Sequence, residues 1–206
     1  MKISSRDMRY LAAFVIIATL VTSFAAYLSF NPPRTEEFYA MWILGSDGLT
    51  ENYYPDQNPN LKVDQTLNWT IDIYNHMGSL QYVVLRVKLM NSTLPSPDDS
   101  TGQPSPVPSI VDFRRVLVDN ETWTVPFTWR ILKLDHGTSV VTITELSLNQ
   151  NLISGQLAVA RSGFNFRFVF ELWHYDLASE KLVFPWTTAG ATQAAWTEIW
   201  FNATAT

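Results

Sequence analysis

Hydrophobic positions along this chain fall into two regimes. From Tyr10 to Phe30 no charged residue interrupts 21 consecutive positions. Beyond Pro33 the apolar residues come in short runs, many of them alternating with polar ones. Leu67, Trp69, Ile71 and Ile73 alternate with Asn68, Thr70 and Asp72, and Phe164, Phe166, Phe168, Phe170 and Leu172 repeat the pattern. Period two is the mark of a strand with one buried face. Further strands are expected at Phe38–Leu44, Gln81–Met90, Val111–Val118, Thr122–Ile131, Ser139–Leu148, Leu152–Val159 and Ala195–Asn202. Turn signals such as Ser46-Asp47-Gly48, Met77-Gly78-Ser79 and Asp135-His136-Gly137 separate them.

The first regime reads as a membrane helix. At 1.5 Å per residue it spans about 31 Å, enough for a hydrocarbon core of roughly 30 Å. Lys2, Arg6 and Arg9 precede it, Asn31-Pro32-Pro33 stops it, and Glu36 and Glu37 follow. The positive-inside rule then leaves residues 1–9 in the cytoplasm and residues 31–206 outside. A cleaved secretory signal is the rival reading, with Ser23-Phe24-Ala25 as its small-residue site. Both place the second regime beyond the membrane. That part is expected to be mainly β: an immunoglobulin-like antiparallel β-sandwich, with a barrel as the alternative.

One segment interrupts the strands. Residues 91–109, NSTLPSPDDSTGQPSPVPS, hold five prolines and almost no large apolar side chain. Proline removes ladder donors, so a long exposed loop is expected here, either a loose insertion or a partner-docking loop.

Composition removes several kinds of chemistry. The chain has no cysteine. That excludes disulfides, thiol catalysis and cysteine-ligated metal. Residues 31–206 carry 11 Lys and Arg against 18 Asp and Glu. An acidic domain repels phosphate backbones, so no nucleic-acid partner is expected. GxSxG, HExxH and glycine-rich phosphate loops are lacking, so no catalytic residue and no cofactor is assigned.

Two kinds of site remain. His76, His136 and His174 are the only histidines, and three could ligate copper or zinc, although no pair has ligand spacing. Unrelated surface histidines are the plainer reading. Asn68, Asn91, Asn120 and Asn202 each begin an Asn-X-Thr glycosylation sequon. N-linked glycans are therefore expected at one or more of them. Trp173, Tyr175 and Trp186 could stack on a sugar, or simply fill the core.

Phe38-Tyr39, Leu44-Gly45, Gly48, Tyr54-Pro55 and Tyr74-Asn75-His76, together with Phe168–Trp173 and Trp196–Asn202, resemble an archaeal pattern. It is that of the exported domain in the family called domain of unknown function 1616. The resemblance covers roughly residues 35–90 and 165–203. It implies an exported archaeal sandwich behind membrane segments and carries over no catalytic residue. Tyr54, Pro55, Asn75 and His76 are expected to shape turns and strand ends. The function expected is that of a non-catalytic structural or accessory subunit of a membrane or cell-envelope complex, touching the bilayer through residues 10–30 and other envelope proteins through the domain. An archaeal copper-dependent ammonia monooxygenase is one assembly of that kind. A surface adhesion module for sugar or protein is the alternative, and a small histidine metal domain the second alternative.

Overall fold

The computed structural model describes residues 5–30, 36–188 and 190–203. The chain divides into two compact units, Met1–Thr35 and Glu36–Thr206.

The first unit contains one helix, α1 (Ser5–Phe30). Within it Met8–Phe30, 23 residues, is long and apolar enough to cross a membrane by length and composition, a test that a signal sequence also passes. Three of its hydroxyls, those of Thr19, Thr22 and Ser29, fold back onto the helix: Thr19 Oγ1 donates to the Val15 carbonyl at 2.8 Å, and Ser29 Oγ to Ala25 at 2.9 Å. Satisfied in this way, these three need no water. The Asn31-Pro32-Pro33 stop lies outside the described residues.

Among its described residues the second unit has thirteen strands, most of them in the two sheets of a sandwich. They are β1 (Phe38–Leu44), β2 (Asn60–Leu61), β3 (Leu67–His76), β4 (Gln81–Asn91), β5 (Val111–Leu117), β6 (Thr122–His136), β7 (Val140–Leu148), β8 (Asn151–Arg161), β9 (Phe166–Asp176), β10 (Lys181–Val183), β11 (Trp186–Thr188), β12 (Ala191–Gln193) and β13 (Ala195–Ala203). Sheet 1 has the order β1-β3-β6-β7-β8 and sheet 2 the order β2-β13-β9-β4-β5, with β10 on β9. A small hairpin, β11-β12, stands apart. The long pairings are antiparallel, and among the described strands only the short β13-β2 contact is parallel.

Strand alternation builds the core. Trp69 on β3, Phe127 and Trp129 on β6, and Phe168 on β9 all point between the sheets. Their rings lock across the gap, with Trp129 and Phe168 4.7 Å apart and Phe127 and Phe168 5.3 Å apart. Edge-to-face pairs of this kind add to the burial energy of the rings themselves. With no disulfide available, this interdigitation holds the sheets together.

Asn75 fastens the turns at one end. It is fully buried, and its amide donates to the carbonyls of Ser79, Leu117 and Val118 at 3.0, 3.2 and 3.0 Å. Its Oδ1 accepts from Met77 N at 3.1 Å. One side chain thus shapes the β3-β4 turn and ties it to the β5-β6 turn, which links sheet 2 to sheet 1.

The proline-rich segment is not a loose loop. Residues 92–110 lie as a strap over the outer face of sheet 2, with Pro97, Gly102 and Ser105 buried. The segment is a mostly exposed loop between β4 and β5, and polar atoms, not apolar ones, seat it. Lys88 and Glu171 point outward from β4 and β9, form a 2.8 Å ion pair, and are both buried beneath the strap. Lys88 Nζ also donates to the Ser105 carbonyl at 2.6 Å, and Ser105 N donates to Glu171 Oε1 at 2.8 Å. Nearby, Arg167 donates to Glu198 at 2.8 Å, to Ser96 Oγ at 2.6 Å and to the Leu94 carbonyl at 2.6 Å.

Candidate functional site

The loop of residues 45–66, between β1 and β3, is held by a dense set of its own hydrogen bonds. Its base is tight: a Cβ on Gly45 would sit 2.0 Å from the Glu51 carbonyl oxygen. Asp47 accepts from Leu49 N at 3.1 Å and from Asn52 Nδ2 at 2.7 Å, and these bonds hold its carboxyl below the usual range. Tyr53 OH donates to the Ile43 carbonyl at 3.2 Å, and Tyr54 OH donates to the Trp200 carbonyl. Burial pushes the Tyr54 hydroxyl up, so it stays protonated as a donor. Trp69 Nε1 donates to the Tyr53 carbonyl at 2.7 Å, joining the loop to the core.

The fixed loop bounds a cleft of about 800 Å³, lined in part by Asn52, Tyr53, Tyr54, Asp56, Gln57 and Asn68. Asn52, Asp56 and Gln57 hold left-handed backbone at φ 53°, 53° and 55°. Asn and Asp adopt this conformation readily, so it closes the loop at little cost. The side chains of Asp56 and Gln57 have no hydrogen-bond partner among the described residues. A second hollow of about 530 Å³ shares Pro55 and Asp56 and continues past Asn58, Lys62 and Asp64. The cleft offers amides, hydroxyls, one carboxylate and two tyrosine rings, a set suited to a neutral, hydroxyl-rich ligand. Gly45, Tyr54 and Pro55 are visible in the sequence as turn formers. Asp56 and Gln57 carry no sequence signal, because only the loop's backbone aims them.

The three histidines do not converge. His76 lies on the outer face of sheet 1 between the rings of Phe38 (4.9 Å) and Tyr74 (5.9 Å), with Nδ1 2.6 Å from Asn120 Oδ1. His136 ends β6, at the opposite end of that strand from Thr122. His174 points inward from sheet 2, 5.8 Å from Tyr39, and burial pushes its imidazole below the usual value. Strand alternation and strand length separate them. Among the described residues no group of three His, Asp or Glu could hold a metal. The aromatic trio divides likewise: Trp186 is buried against Tyr39, Trp173 lies beneath Arg86 at 3.8 Å, and Tyr175 faces solvent.

The four sequon asparagines differ in what their amides do. Asn91 Nδ2 donates to the Val159 carbonyl and its Oδ1 accepts from Thr93. Asn120 Nδ2 donates to Asp119 at 2.7 Å, and Asn202 Nδ2 to Asn60 at 2.8 Å. Thr204, which completes the last sequon, lies outside the described residues. Asn68 is exposed, accepts from Thr128 Oγ1 at 2.9 Å, and its Nδ2 has no partner among the described residues.

No family model matches the chain, and no curated protein matches it. Similar solved structures include the CARDB domain of a Pyrococcus furiosus protein, crystallised in complex with di-metal ions. Its TM-score is 0.38 at 8% identity, covering 84% of this chain and 99% of that one. The solution structure of the same domain gives 0.36 at 8% identity, over 83% and 98%. A β-glucosidase from Listeria innocua in complex with gluconolactone gives 0.34 at 10% identity, and 82% of this chain covers 17% of that one.

Lys88, Glu171 and Arg167 are bound to the strap, while the side chains of Asp56 and Gln57 line the open cleft.

Proposed function

We propose that this protein is a non-catalytic accessory subunit of an archaeal membrane or cell-envelope complex. Its apolar helix would hold the sandwich outside the cytoplasm, with the N-terminus inside. The observation that carries the reading is how the charged residues are used. Lys88, Glu171, Arg167 and Glu198 are consumed in fixing the strap, and the loop of residues 45–66 presents a preformed polar cleft. Such a chain is built to present rigid surfaces. The basic residues before α1 support the orientation, and the resemblance to the archaeal family supports the source.

Extraction of the full chain in mild detergent tests this. A particle much larger than the chain and its micelle is expected, and a free monomer would refute the proposal.

A second reading rests on the cleft itself. The side chains of Asn52, Tyr53, Asp56 and Gln57 suit a sugar ligand, which would make the protein a surface adhesion module. Glycan-array binding by the full chain, lost in Gln57→Ala, would favour it. A flat array would remove it.

A further inference from the structure

The strap and the β11-β12 hairpin leave part of sheet 2's outer face bare. Register continues there across three strands. Tyr82 pairs with Val116 on β5, and Val83, beside it, pairs with His174, the neighbour of Tyr175 on β9. Leu80, Val118 and Leu177 follow at the ends of these three strands. Tyr82, Val116 and Tyr175 point away from the core, because their neighbours Val83, Leu117 and His174 point into it. Leu177 is 83% exposed, Leu80 63%, Val118 54% and Val116 50%. Exposed apolar residues gathered at one end of three adjacent strands mark an interaction surface, unlike a lone exposed leucine.

The charges at its rim select the partner. Asp119 accepts from Gly78 N at 2.8 Å, and Asp176 accepts from Ser179 N at 2.9 Å, so both carboxylates are fixed in place. Glu180 and Lys181, next along the chain, are exposed. Arg115 is held by Glu121 at 2.7 Å, while Arg114 and Arg86 share Asp112 at 3.6 and 3.9 Å. Asp112, Asp119, Glu121, Asp176 and Glu180 thus outnumber Arg86, Arg114, Arg115 and Lys181, and the rim is acidic. It would repel a second copy of this acidic chain and an anionic lipid surface alike.

The geometry points to a docking site here for another protein chain, one with an apolar centre and a Lys- and Arg-rich border. This rests on the subunit reading above and names the surface that would serve it.

The test places a photoreactive phenylalanine analogue at Leu177 of the full chain in its own membrane. Thr124, on the outer face of sheet 1, is the control position. The expected adduct from Leu177 is a second protein, at an apolar segment flanked by basic residues, at least tenfold above the Thr124 yield. It should fall tenfold in Tyr82→Ser/Val116→Ser and in Asp176→Lys/Glu180→Lys. These positions are at the surface, so the melting temperature checks that each variant still folds. Adducts to lipid, adducts to a second copy, or a yield equal to the control would overturn the inference. A large detergent particle without a Leu177 adduct overturns this surface and leaves the subunit reading standing. A free monomer overturns both.

Discussion

Glu171 accepts from Lys88 of the neighbouring strand and from the backbone of Ser105 in the strap, all through one buried carboxylate oxygen. Its other oxygen accepts from Trp173 Nε1 at 3.0 Å. Removing either charge strands the other in a dry site. Glu171→Ala should therefore destabilise the protein by about 3–5 kcal/mol. The double change Lys88→Met/Glu171→Leu should recover most of that. Denaturant unfolding measures both, and equal losses in single and double variants would contradict the pairing. Limited proteolysis should cut within residues 92–110 in Glu171→Ala before the rest of the domain.

Asn75→Ala removes three donated bonds and one accepted bond at a site without solvent. A loss of about 3 kcal/mol is expected from the stranded carbonyls. Unfolding midpoints of Asn75→Ala against Asn120→Ala, an exposed neighbour, provide the comparison.

Gly45→Ala forces a Cβ onto the Glu51 carbonyl oxygen, and backbone cannot swing aside as a side-chain tip can. The cost should be about 1–3 kcal/mol, as for other overpacked sites. Hydrogen exchange of residues 45–66 should rise while that of β9 stays unchanged.

Glycosylation should be found at Asn68 first, since a sugar on its Nδ2 displaces no hydrogen bond seen among the described residues. Intact mass of the full chain from its own membrane should drop in Asn68→Gln and stay constant in Asn91→Gln. The reverse pattern would show that the sugar is added before the fold decides.

Acid should weaken the domain through His174. Burial holds its folded-state pKa below the ordinary 6.5, with Asp176 opposing in part. A proton therefore binds the unfolded chain first. Stability is complete above about pH 6.5 and declines as pH falls from there toward the folded pKa. In His174→Phe that limb of a stability–pH curve should flatten.

Much of this fold is legible in the sequence, and the reasons differ by element. β3 reads directly, because a strand with one buried face alternates. β2 and β10 to β12 are too short to show any period. The strap's prolines exclude a ladder, but they say nothing about docking. Its trace lies elsewhere, in charged residues set inside apolar strands, Lys88 in LRVKLM and Arg167 and Glu171 in FRFVFEL. Those outward charges need partners, and the strap supplies them. The cleft was hidden for another reason: left-handed Asp56 and Gln57 arise from loop closure, which no local pattern records. The histidines show the limit of counting residues by type, since strand parity sent His76 and His174 to opposite surfaces.

The position of β13 sets an order on biosynthesis. It follows the other described strands along the chain, yet it lies inside sheet 2, between β2 and β9. Until Ala203 leaves the ribosome, Phe166 and Phe168 have no neighbouring strand on that side, and Leu61 has no ladder to join. Sheet 2 therefore closes only once β13 has emerged, and the aromatic strand β9 waits with one edge unpaired until then.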